Sequence, residues 1–350
     1  MRMFRNDYSE GAAPQILKAL IDTNEEQCVG YTEGDPHCEH ARELIREACQ
    51  QPDAMVEFCL GGTSANVIGV TGMLRDWEGV ICTKDGHINV HETGAIAATG
   101  RTVLPTQDTD GFLSPEEAEK VFRFQTSTGR HMTLPKVVYI TDTTEIGGVW
   151  TRDRFDAIVD WAHGHGLKVF LDGARLASAL TSPANDLTLP YIASRVEAFY
   201  LGGTKNGMLF GEAMVIMDDE LRESFPFLQK ERGGLMAKGR LLGVQFEAAF
   251  TPDAQTGEAP YWTLARGAND CALALRDGLV ALGFEPYGRS DSNQQFFTVT
   301  PEQQEAFESA SGCETFYALD DGRKVIRFVC SWATGRADVD ELLALAKTLS

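Results

Sequence analysis

Through its first two thirds this chain alternates short apolar runs with helical patterns, and no other feature limits the fold as strongly. The runs are MVEFCL, GVICT, PKVVYIT, KVFLD and EAFYLGG, and the segments SANVIGVTGML and RFDAIVDWAHGHG lie among them. Strand-length apolar runs separated by helix-length amphipathic segments predict a mostly parallel sheet with helices on both faces. The clearest helix places Phe155, Ile158, Val159 and Ala162 on one face and stops at Gly164 and Gly166.

After Gly211 the pattern changes. AMVIM reads as a strand, followed by helical stretches at 219–229, 236–250 and 261–281. Then come FFTVT, a helix from Pro301, TFYAL, KVIRFVCSW and a last helix in DVDELLALAKTL. This predicts a small α+β domain joined through a long helix. The expected division is an N-terminal segment at 1–25, a large domain at 26–235, and a small C-terminal domain at 236–350 that includes the connecting helix. With 350 residues, 43% of them hydrophobic, the chain can fill both cores.

A net charge of -20 argues against nucleic acid or an anionic membrane as partner, because the summed field repels both. No stretch approaches the ~20 apolar residues that span a bilayer, and MRMFRNDYSEGAAP has no apolar signal core. The cytoplasm is the expected compartment. Eight cysteines without a CxxC pair suggest reduced thiols, with Cys59, Cys82 and Cys330 in apolar strand runs. DPHCEHAR sets Cys38 between His37 and His40, but it lacks a second cysteine at zinc spacing and opens an amphipathic helix, so no metal is expected.

In an open α/β sheet, ligands bind beyond the carboxyl ends of the strands. Four such places carry chemistry: GGTSAN, GHINVHETGA, DGAR and GGTKNG. In AFYLGGTKNGMLFGEA, Lys205 is hemmed in by small and apolar neighbours, with the Thr204 hydroxyl beside it. Partial burial lowers an amine's pKa and makes it a nucleophile suited to a Schiff base; a loop lysine after a strand is the plainer alternative. Gly61, Gly62, Thr63 and Ser64 stand where a helix begins, an anion pocket suited to phosphate or simply an N-cap. Asp172 ends a buried run, where its carboxylate could hold a protonated pyridine nitrogen or pair with Arg175. Acid, amine and phosphate-type turn together form the working parts of a pyridoxal 5′-phosphate (PLP) site. His87, or less favourably His91, could stack on a cofactor ring, or either could be a surface or satisfied core histidine. Arg327 interrupts the apolar KVIRFVCSW, so its guanidinium needs a carboxylate, from an amino acid substrate or from a structural ion pair.

With these residues assembled, the chain resembles the threonine aldolase family, in the aromatic amino acid β-eliminating lyase group of fold type I PLP enzymes. The likeness runs from FRNDYSEG to IRFVCSWAT and includes GYTEGDP. It implies an aspartate aminotransferase-like fold, a large mostly parallel-sheet domain with a smaller α+β domain. It implies Asn6 and Asp7 near the substrate carboxylate and site entrance, and Tyr31 reaching the site of its own or of a neighbouring subunit. It further implies Gly62, Thr63 and Ser64 around the phosphate, His87 on the ring with Glu92 beside it, and Asp172 on the ring nitrogen, with Thr204 beside the amine as a further cofactor-binding residue. Arg175 and Arg327 would clamp the carboxylate, and Lys205 would carry the imine. The family is usually dimeric or tetrameric with sites between subunits, and Lys230 or Lys238 would approach a partner's phosphate.

One departure concerns the reaction. Where the family commonly carries a histidine in a string like ENTHN, this chain has TDTTEIGG and so Glu145. A carboxylate accepts a hydroxyl proton if burial raises its pKa. The implied activity is cleavage of L-threonine or L-allo-threonine-type substrates to glycine and an aldehyde. The alternatives are β-elimination or another amino acid transformation on the same cofactor, and, more remotely, a non-catalytic binding module.

Overall fold

The computed structural model describes residues 2–350 and folds the alternating segments as the pattern predicts. The strands are β1 (Met55–Cys59), β2 (Glu78–Cys82), β3 (Thr102–Pro105), β4 (Leu134–Thr141), β5 (Lys168–Asp172), β6 (Ala198–Gly202) and β7 (Glu212–Ile216). They form one sheet in the order β1-β7-β6-β5-β4-β2-β3. β7 is antiparallel to both β1 and β6, the only break in the parallel arrangement among the described residues. The reason is the connection: residues 203–211 are too few for a crossover, which needs a dozen or more.

Both faces of this sheet are buried, so adjacent residues of one strand enter different cores. Val137 and Tyr139 pack with Ile68, Phe170 and Met214 on one face. Val138 and Ile140 pack with Phe155, Ile158, Val159 and Phe199 on the other. The helix Arg152–Gly164 thus buries the face expected of it, and Gly166 follows at φ 68.

A second sheet, in the order β10-β11-β9-β8, is formed by β8 (Glu285–Pro286), β9 (Gln294–Val299), β10 (Glu314–Ala318) and β11 (Lys324–Val329). The 22-residue helix Pro260–Ala281 leads into it. Leu275, Leu279, Phe297, Phe307 and Phe328 make its core, and Phe4 joins them from the other end of the chain. Backbone bonds hold Phe4 there, from its N–H to Ser311 O at 2.7 Å and from Val329 N–H to its O at 2.9 Å. Residues 2–25 are therefore divided in their contacts, because Ala13, at the start of the helix Pro14–Asp22, donates to Gly207 O beside the large sheet.

All eight cysteines are free. Cys38 is buried with its thiol toward Gly239 O, whereas His37 and His40 both contact Glu247. Among the described residues, no helix is long and apolar enough to cross a membrane.

Candidate active site

Because β1, β2, β4, β5 and β6 run the same way, their following turns emerge along one edge of the sheet. There they enclose a cavity of about 320 Å³. Gly61, Gly62 and Thr63 enter it after β1, His87 after β2, Glu145 after β4, Asp172 and Arg175 after β5, and Thr204 and Lys205 after β6. Residues spread from Gly61 to Lys205 thus meet because each follows a strand.

Lys205 is half-buried, and desolvation of its amine lowers the pKa, with the Arg175 cation adding to the effect against the carboxylates of Asp7, Asp172 and Glu145. Asp172 behaves in the opposite sense. Burial disfavours its charge, yet His87 and the hydroxyls of Tyr139 and Tyr200 outweigh that and hold its pKa below the ordinary value. Tyr139 and Asn66 donate to Oδ2, the latter at 2.9 Å, and Tyr200 and the Ala174 N–H donate to Oδ1. An ionised carboxylate fixed by four donors is a permanent negative charge aimed into the cavity.

His87 opens a short helical turn, Nδ1 lying 2.7 Å from Glu92 Oε1. Burial works against its charge, but Glu92, Glu145 and Asp172 raise its pKa above the usual range. Asn66 joins the two halves by donating to Glu92 Oε1 at 2.7 Å as well as to Asp172. A buried chain therefore runs His87, Glu92, Asn66, Asp172. Glu92 lies behind the imidazole, outside the cavity wall.

At the other end, Gly61 N-caps the helix Gly62–Gly72, whose first backbone N–H groups are free for an anion. A Cβ on Gly62 would sit 3.2 Å from the Tyr200 hydroxyl, so glycine keeps this turn close to the strand ends. Ser64 belongs to the same helical turn without lining the cavity.

Toward the small sheet, a neighbouring cavity of about 610 Å³ shares His87, Glu145, Arg175 and Lys205 and adds Arg327 from β11. Arg327 reaches Glu314 Oε2 at 3.0 Å, and its buried Nε has no protein partner. Burial and the Arg175 charge push its pKa down, which means two guanidiniums converge without enough anion between them. Arg175 itself forks onto Asp7, with Nε to Oδ2 at 2.7 Å and Nη2 to Oδ1 at 3.0 Å.

Asn6 and Tyr31 stay apart from this cavity. The Asn6 Oδ1 accepts from the Tyr8 N–H and the Ser9 hydroxyl within its own turn. Tyr31 is 43% exposed at φ 66, its ring 4.8 Å beneath the Lys230 ammonium. Lys230 and Lys238 are also exposed.

Sequence reasoning passed over Asn66, Tyr139, Tyr200, Glu212 and Tyr8. Asn66 stood inside GGTSAN, and Tyr200 and Glu212 flanked Lys205 in AFYLGGTKNGMLFGEA, so polar residues in otherwise apolar strand runs were the available signal.

The donor set suits PLP: a nucleophilic desolvated amine, an ionised buried carboxylate, an imidazole near both, and a glycine turn with free N–H groups. Residues 4–308 match the β-eliminating lyase family. The low specificity L-threonine aldolase of Pseudomonas sp. (strain NCIMB 10558) is 28% identical, the alignment covering 98% of this chain and 96% of that one. The solved threonine aldolase of Leishmania major is 41% identical with a TM-score of 0.95, covering 100% of this chain and 99% of that one. Cystalysin from Treponema denticola, which contains pyridoxal 5′-phosphate, shares the fold at 14% identity and a TM-score of 0.72, covering 99% and 90%.

Proposed function

This chain belongs to the β-eliminating lyase family, within its threonine aldolase group, and we propose that it is a PLP-dependent aldehyde-lyase. Its substrates in this reading are L-threonine, L-allo-threonine and similar β-hydroxy-α-amino acids, cleaved to glycine and an aldehyde. The observation that carries the proposal is the pairing, across one cavity, of the desolvated Lys205 amine with the ionised Asp172 carboxylate.

Lys205 would hold the cofactor covalently, Gly62, Thr63, Ser64 and Thr204 its phosphate, His87 its ring face and Asp172 its ring nitrogen. When bound, PLP supplies an electron sink for the pair released as the Cα–Cβ bond breaks. Asp172 would hold the ring nitrogen through its negative charge, and its four hydrogen bonds keep that carboxylate fixed. Arg327 and the face of Arg175 not occupied by Asp7 orient the substrate carboxylate, which relieves the repulsion between the two cations. Glu145 lines both cavities and accepts the β-hydroxyl proton, directly or through a water. Thr143, whose buried hydroxyl has no protein partner, stands beside it in the wall.

The same reading has a homodimer or homotetramer with sites at the subunit interface. Tyr31, Lys230 and Lys238 support this, because they are exposed, away from their own cavity, and Tyr31 holds a left-handed backbone that a non-glycine residue adopts at a cost. Eight free cysteines suit a reducing compartment, the cytoplasm in this proposal.

The test is product analysis on the PLP-loaded protein. Equal glycine and acetaldehyde from L-threonine supports the reading. Turnover of tryptophan, tyrosine or cysteine to pyruvate and ammonia, with no hydroxy amino acid cleaved, overturns it in favour of β-elimination. Lys205→Ala removes the borohydride-sensitive visible band, and a band that survives the substitution removes the cofactor assignment.

A further inference from the structure

One buried acid has no place in that mechanism. Glu212 opens β7 directly between two strand ends, opposite Cys59 of β1 and Gly202 of β6. Cys59 leads into the Gly61–Gly62–Thr63 turn and Gly202 into Gly203–Thr204–Lys205. Glu212, 3% exposed, lies between the two turns and lines the same cavity. Oε2 accepts the Gly203 N–H at 2.9 Å, and the neighbouring Thr204 hydroxyl accepts the Gly211 N–H at 3.0 Å. The turn that presents Lys205 is therefore tied to Glu212.

Burial pushes the Glu212 pKa up to about 7, against Thr204, the Gly203 N–H and the Lys205 cation, with Asp172 adding a small push upward. The other titratable groups facing it stay neutral near that pH, since burial raises the Cys59 thiol and the Tyr200 and Tyr261 hydroxyls. The charges that bear on Glu212 are the Lys205 cation, which favours its ionised form, and the Asp172 carboxylate, which opposes it. A phosphate ester above its second pKa of about 6 brings close to two negative charges into the same space.

We propose that Glu212 is a positioning residue at the phosphate end of the cavity that takes up one proton from solvent when the phosphorylated cofactor enters. Charged, it balances Lys205 in the empty protein and pins the lysine turn. Protonated, one oxygen still accepts the Gly203 N–H while the other carries a hydrogen to donate, so a repelling group becomes a compatible one. This rests on the PLP reading above.

The probe is pyridoxine 5′-phosphate, which has no aldehyde to condense with Lys205, titrated into PLP-free protein by calorimetry in two buffers of different ionisation enthalpy. Wild type should take up about one proton more than Glu212→Gln near pH 7.5, and its affinity should weaken about tenfold per pH unit above pH 8 relative to a flatter Glu212→Gln. Equal proton uptake in the two proteins overturns the proposal. If Glu212→Gln does not fold, the wild-type profile decides, and an affinity independent of pH from 7 to 9 overturns it. A wild type that binds no probe and forms no borohydride-sensitive band with PLP removes the cofactor reading as well; a normal band with equal uptake removes only the role of Glu212.

Discussion

Asp7 and Arg175, 168 residues apart in sequence, form a buried fork with bonds of 2.7 and 3.0 Å. Asp7 also accepts from Asn293 Nδ2 at 2.9 Å, so one carboxylate joins the start of the chain, the turn after β5 and the residue that precedes β9. The fork fixes where the Arg175 guanidinium points.

Asp7→Ala should destabilise the fold by about 3–5 kcal/mol, because it leaves a buried guanidinium unpaired. Urea unfolding measures this. Burial opposes the Asp7 charge, but Arg175 and Lys205 hold its pKa below the ordinary value. Its contribution is thus fully present above about pH 4 and lost as pH falls through the folded pKa. A variant as stable as wild type at pH 7 would contradict the buried pair.

Glu92→Gln should cost about 1–3 kcal/mol at pH 6 by weakening the bond that keeps His87 protonated. The His87 pKa is raised in the folded state, burial being outweighed by Glu92. The stabilisation is therefore complete below about pH 6.5 and fades as pH rises through the raised value. Paired unfolding curves should show a larger difference at pH 6 than at pH 9, and a gap that widens with pH would refute the assignment.

Glu145→Gln should lower kcat for threonine cleavage by about 10²–10⁴-fold with a much smaller change in KM, as expected for loss of a general base. Steady-state kinetics with the PLP spectrum as a control separates this from lost cofactor. An unchanged kcat would move the proton acceptor elsewhere.

Arg327→Lys should raise KM for L-threonine by about 10–100-fold, because a point ammonium does not reproduce the planar fork that meets a carboxylate. Cofactor binding should be untouched, since Arg327 lies in the outer cavity. Weakened PLP binding with normal KM would place Arg327 in a different role.

The strand-end rule made much of the site legible before any coordinates. Lys205, Asp172, His87 and Gly62 each follow an apolar run, and they share a cavity because parallel strands release their turns on one side. Arg175 was legible as an arginine near a carboxylate but not as the partner of Asp7, since no local pattern links positions 7 and 175. Asn66 was hidden for a similar reason. Inside a helix its amide looks like any polar residue, and only the packing of that helix on β5 and β7 sets it between Glu92 and Asp172. β7 shows the converse, its direction following from a connection too short to cross over.

Periodicity and turn chemistry, which are local, determined by themselves the layered α/β order, the helix over 152–164 and the turns that carry amine, acid and glycines. Tertiary structure alone decided which charges stay charged. Asp172 is ionised while Glu212, also a buried acid near Lys205, titrates near neutrality. The physical reason is that a carboxyl's pKa follows its burial and the donors and charges around it, and those arrive from strands and helices far apart in the chain.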